Sequence, residues 1–149
     1  YYSLYEHIAK SMWNDPNGAI LIAATGNDSY RPTYTCPVGN PAAAPSIMAI
    51  GAVDSHGTIA YFSDCKMDNI GEVNLSAPGV KTHSSWKNGK FNSISGTSMA
   101  TPHVAGVASL YLEKDPSLTP GQLWDILQRS CTRLGDEKDY GYGLVQVPR

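Results

Sequence analysis

Ala19-Ile20-Leu21-Ile22-Ala23-Ala24 is a continuous apolar run, with Gly18 in front of it and Gly26 just behind. Its length and glycine flanks suit a strand buried on both faces, the form strands take in a parallel sheet covered by helices. Residues 47–53 form a second run of the same kind and 73–76 a shorter third. Between the first two, residues 26–46 hold no period and are rich in Gly, Pro, Asn and Thr. A structureless stretch of that size inside a compact domain is unusual, and such loops commonly carry function.

Helical patterns alternate with these runs. Leu4, Ile8 and Met12 recur at a spacing that predicts an amphipathic helix over 3–14, stopping at Asn14-Asp15-Pro16-Asn17-Gly18. Residues 99–112 are almost without a polar face. Ala100, Ala105, Gly106, Ala108 and Ser109 are small enough to let other elements approach, which predicts a central, buried helix. Thr119 as N-cap and Pro120 at the first helical position open another helix, running to about Ser130 with Leu123, Ile126 and Leu127 on one side. Residues 58–63 alternate weakly, and 80–84 and 91–94 read as short strands around Lys87-Asn88-Gly89-Lys90. Strands alternating with helices give the α/β class with a mostly parallel sheet.

The chain of 149 residues is 42% hydrophobic and 16% charged, with a net charge of -2. That suits one domain with a real core rather than a disordered segment. No basic surplus is available to neutralise phosphates, so nucleic acid is not the expected partner. No apolar run approaches the roughly 18 residues of a membrane span. Cys36, Cys65 and Cys131 lie far apart with no C-x-x-C pair, which excludes a disulfide scaffold or structural zinc site and leaves room for one bridge at most. The sequence opens at Tyr1-Tyr2-Ser3-Leu4, inside helical material, with neither an initiator Met nor a signal-like leader. It reads as a piece of something longer.

The chemistry concentrates in Ile94-Ser95-Gly96-Thr97-Ser98-Met99-Ala100-Thr101-Pro102-His103-Val104-Ala105-Gly106. A turn there delivers a serine to the mouth of an apolar helix, where free N–H groups and the positive end of the helix dipole favour a developing oxyanion. Gly96 permits a tight approach, and Pro102 is expected in the first turn, where it is tolerated. For an arbitrary serine at such a place, a plain N-cap is the ordinary alternative.

Residues 96–106 closely resemble the nucleophile segment of the subtilisin-like serine proteases. Ala23-Ala24-Thr25-Gly26-Asn27 is similar to that family's strand ending in the oxyanion-hole Asn. Ala44-Pro45-Ser46-Ile47-Met48-Ala49-Ile50-Gly51-Ala52-Val53-Asp54 is similar to the strand after its substrate-pocket loop. Phe62-Ser63, Ala77-Pro78-Gly79-Val80 and Tyr140-Gly141-Tyr142-Gly143-Leu144-Val145 follow in the family's order. The resemblance implies a three-layer fold, a mostly parallel sheet with helices on both faces, of which residues 1–149 are the C-terminal half, an incomplete half-domain. It implies a serine endopeptidase in which Ser98 attacks the scissile carbonyl, and Asn27 with the Ser98 N–H receives the oxyanion. Gly39 falls at the base of the primary specificity pocket, leaving room for a large apolar or aromatic side chain. Ala24, Gly26 and Thr97 are carried over as further substrate contacts, and Met99 as a site sensitive to peroxide.

In this family the orienting Asp and the base His precede the Ser in the chain, and no counterpart of either is found here. His7, His56 and His83 read as solvent-facing, and His103 as a packing residue. The expectation is therefore a half-site that is inactive alone and completed by the missing N-terminal half of the catalytic domain. A non-catalytic module used for binding or scaffolding is the alternative. No cofactor is required for the chemistry. The backbone carbonyls of Ala42, Ala44 and Ile47 align with a cation site of some members, for calcium or a monovalent cation. The partners implied are a polypeptide substrate and, for the isolated piece, copies of itself through the open sheet edge. The family default is a secreted, extracellular protein, with free cysteine leaving an intracellular site open. Asp136, Glu137 and Asp139 read as a solvated turn, and Asp64 and Asp68, flanking Cys65, suggest no chemistry.

Overall fold

The computed structural model describes residues 2–15, 17–67 and 69–149. Tyr1, Pro16 and Asp68, which the sequence reading singled out, lie outside the described residues. Strands β1 (Leu21–Ala24), β2 (Ile47–Val53) and β3 (Leu75–Pro78) form a parallel sheet in the order β1-β2-β3, with Leu21 beside Ile47 and Ile50 beside Leu75. β2 is buried at every position, as a central parallel strand must be. Its side chains alternate: Met48, Ile50 and Ala52 join one core cluster, while Ile47 and Ala49 face the other side. Helices α2 (Thr97–Lys114) and α3 (Pro120–Arg129) cover the first face, and α1 (Tyr2–Asn14) packs on the second through Ala9 and Tyr5. This is the expected α/β arrangement, with helices on both faces of the sheet. No helix among the described residues is long and apolar enough to cross a membrane.

Several local expectations need correction. β1 is only half-buried, because it stands at the sheet edge with β2 on one side alone. The apolar series on α1 faces outward at Leu4 (59% exposed) and Ile8 (45% exposed). The docking face is instead Tyr5, Ala9 and Trp13, with Trp13 edge-on to Trp124 of α3 at 5.0 Å. Glu6 fastens α1 to the start of β2 by accepting from Ser46 N at 2.9 Å and Ser46 Oγ at 2.8 Å. α2 is buried along Thr97, Ala100, Val104 and Ala108 only, and Ala105, Gly106 and Ser109 are exposed. The small residues make a surface that close neighbours could occupy, and none of the described residues does so.

α3 matches its sequence signals. Thr119 Oγ1 accepts from Gln122 N and the Gln122 side chain accepts from Thr119 N, a complete capping box ahead of Pro120. β4 (Thr82–Trp86) and β5 (Lys90–Ile94) form an antiparallel hairpin about a turn at Lys87–Gly89. The weakly alternating stretch 58–63 makes no strand, only a bridge between Ile59 and Val53. Asp139, in the short helix α4 (Glu137–Tyr140), is not a solvated charge. It accepts from Arg31 Nη2 at 2.6 Å and ties the long loop after β1 to the end of the chain.

Candidate active site

The loop after β1 and the N-terminus of α2 meet at the carboxyl ends of the parallel strands, where open α/β sheets commonly bind ligands. Gly96 is the N-cap of α2 and donates its N–H to Gly79 O at 2.8 Å, just beyond β3. Ser98 is therefore the second helical residue and not a cap. Its side chain is exposed, and neither its N–H nor its hydroxyl has a hydrogen-bond partner among the described residues. An orphan N–H in the first helical turn is a ready donor for an anion.

Asn27 makes no Asx turn. Its Oδ1 accepts from Thr97 N at 2.8 Å and Thr97 Oγ1 at 2.9 Å. With the carbonyl end of the amide so occupied, Nδ2 is left as the outward donor. A Cβ placed on Gly96 would stand 3.7 Å from Ser98 N and 3.8 Å from Asn27 Oδ1, so the amide and the helix terminus share one small space. Thr97 is fully buried, which corrects the expectation of direct substrate contact. Its hydroxyl also lies 3.3 Å from Gly26 O, so it holds the Asn27 loop from behind.

Gly39 donates to Thr25 O at 2.8 Å, which brings the expected pocket base beside the end of β1, next to Ala24 and Gly26. Gly39 is exposed, and a Cβ there would touch only Thr25 O, at 3.7 Å, so the space above it is open. Two cavities lie close to this corner, and Ser98 itself lines neither. One of about 460 Å³ includes Asn27, Tyr61, Phe62 and Ser95 in its wall. The other, about 360 Å³, lies against Met99, Pro102, His103 and the hairpin residues His83 and Trp86. Pro102 is the sixth residue of α2, beyond the first turn expected for it. Lacking an N–H, it leaves the Ser98 carbonyl without its intrahelical donor.

The histidines fall where the sequence placed them. His7, His56 and His83 are exposed, and His103 donates Nδ1–H to Met99 O at 2.8 Å, one turn back on α2. Cys36, Cys65 and Cys131 are all free thiols. Burial pushes the Cys131 thiol up to about 11, so it stays protonated and unreactive. Ala42, Ala44 and Ile47 line one cavity of about 220 Å³ together with Glu72 and Asn74. Ala44 O accepts from Ile47 N, and Asn74 Oδ1 from Ala49 N.

Sequence reasoning missed Asp64. Fully buried, it binds the backbone on both sides of Asn27. No local pattern could reveal it, because its partners lie about 35 residues upstream.

Residues 3–143 match the model of the subtilase family, and the chain belongs to that family. It is 40% identical over 132 residues to subtilisin DY of Bacillus licheniformis, covering 88% of this chain and 46% of that protein. To subtilisin E of Bacillus subtilis strain 168 it is 42% identical over 131 residues, covering 88% of this chain and 33% of that protein. Among solved structures it is similar to the prenylagaramide maturation protease PagA. The TM-score is 0.68 at 31% identity, over 88% of this chain and 48% of that one. The chain thus spans a third to a half of the length of these relatives.

Proposed function

We propose that these residues are the nucleophile half of a serine endopeptidase. Ser98 Oγ attacks the peptide carbonyl to form an acyl-enzyme, and Asn27 Nδ2 with Ser98 N–H stabilises the tetrahedral oxyanion. The observation that carries this reading is the Thr97 anchor on Asn27 Oδ1, which leaves the donor end of the amide free beside an orphan helix N–H. An N-cap serine and an Asx-turn asparagine would show neither feature.

The half-site lacks a base. Ser98 Oγ has no partner among the described residues, and the one half-buried histidine, His103, spends its Nδ1 proton on Met99 O. The reading therefore takes the His base and orienting Asp from chain outside these 149 residues. Half-exposed β1, with apolar cavities on either face, is the surface on which that remainder would seat. The substrate is a polypeptide laid across Ser98, with the cavities walled by Asn27 and by Met99 open to it and a side chain over Gly39, and the protein works outside the cell. A structural cation beside Ala42, Ala44 and Ile47 would draw on Glu72 and bound water; the chemistry does not need it.

The test is hydrolysis of a peptide library by the full-length protein. Cleavage that vanishes in Ser98→Ala supports the proposal. A folded full-length protein that cleaves no peptide would make it a binding module instead.

A further inference from the structure

Asp64 is 1% exposed and lies beneath the Asn27 loop. Its Oδ1 accepts from Ser29 N at 2.8 Å, from Ser29 Oγ at 2.7 Å and from Asp28 N at 3.1 Å, and Oδ2 lies 3.3 Å from Asp28 N. Its own N–H donates to Gly26 O at 3.2 Å. These bonds grip the backbone immediately before and after Asn27 without touching the Asn27 amide. Ser29 Oγ in turn accepts from Cys36 N at 2.9 Å, on the segment that leads to Gly39.

A buried carboxylate is costly unless fully hydrogen-bonded or paired with a cation. The nearby Arg31 is committed to Asp139, so amide and hydroxyl donors of the Asn27 loop satisfy Asp64. Gly26, at φ +121°, lies so close to Asp64 Oδ2 that a Cβ would collide with it. The loop is thus drawn down onto the carboxylate, and the residue at its tip is Asn27. Thr97 holds that side chain from the α2 side while Asp64 holds its backbone from below.

We propose that Asp64 is a positioning residue for the oxyanion amide: it fixes the backbone from which Asn27 reaches Thr97, and through Ser29 and Cys36 it locks that loop to the pocket segment at Gly39. The proposal rests on the acyl-transfer reading of Ser98 and Asn27. Because the contact it serves strengthens only in the transition state, loosening it lowers kcat rather than raising KM.

The test is Asp64→Asn in the full-length protein. The variant keeps shape and Oδ1 but presents an NH2 where Oδ2 faces the Asp28 N–H. The expected kcat falls about 10- to 100-fold, with KM changed less than about twofold. In an Asn27→Ala background the same substitution changes kcat less than about twofold, since the group it positions is gone. Equal fold-losses in both backgrounds, or an unchanged kcat with only a lowered Tm, would overturn the proposal. Ser29→Ala removes one of the bonds at lower risk to folding and shows the same pattern at about 3- to 10-fold. Hydrogen exchange at Thr97 N–H, whose acceptor is Asn27 Oδ1, supplies a readout that needs no hydrolysis. It speeds up in both variants if Asp64 positions the loop and stays unchanged if it does not. Absence of hydrolysis by the unsubstituted protein would defeat the functional reading alone.

Discussion

At the carboxyl ends of the strands, Thr97 holds the Asn27 side chain while Asp64 holds the backbone on either side of it, and Asn27 Nδ2 and the Ser98 N–H are left over as donors. Along the outer edge of β1 the reverse holds: half-exposed apolar side chains of the strand, α1 and α2 have no described residue laid over them. One region is closed by residues of this chain, and the other leaves apolar surface that no described residue covers. On the proposed reading, the contrast separates the two halves of the chemistry: the donors that would stabilise negative charge come from a single sheet-and-helix corner, whereas the proton acceptor would come with whatever covers the edge.

The contrast can be broken most strongly at Ala105, exposed on α2 beside the β1 edge. Ala105→Lys in the full-length protein should cost about 3–5 kcal/mol, as an uncompensated buried charge does, and lower Tm accordingly. In the chain of 149 residues alone the same change should leave Tm nearly unmoved and reduce self-association by sedimentation. Equal Tm losses in both would mean that nothing covers the edge.

At the finished end, Asn27→Ala should remove about 2.7–4 kcal/mol of transition-state stabilisation, a magnitude known from a subtilisin and carried over to its relative. The loss should fall on kcat in steady-state kinetics; a raised KM at constant kcat would take Asn27 out of the oxyanion role.

The smallest effect sharpens the contrast on the α1 side. Burial pushes the Glu6 carboxyl up, but the N–H and hydroxyl of Ser46 and the Lys10 ammonium outweigh it, leaving Glu6 below its ordinary 4.5. Its contribution is full above that ordinary value and is lost as pH falls through the lower folded one. Glu6→Gln should flatten the acid limb of the Tm–pH curve by about 1 kcal/mol or less.

The sheet was legible because β2 is seven apolar residues long and central, so composition alone states its environment. The α1 face was misread because periodicity registers Leu4 and Ile8 as apolar without knowing which side carries the partner. Ala9 is small and therefore quiet in such a pattern, yet it is the residue that packs. Ser98 and Asn27 were found through family resemblance, since a serine near a helix start and an asparagine after a strand are unremarkable by themselves. Asp64 was passed over because its meaning lies in amides far off in sequence, brought together only by the fold.

The most direct measurement is labelling with a fluorophosphonate, with the modified residue located by mass spectrometry. The full-length protein should label at Ser98, and the chain of 149 residues should not label, because its hydroxyl lacks a base. Labelling of the shorter chain, or a folded full-length protein that does not react, would contradict the account.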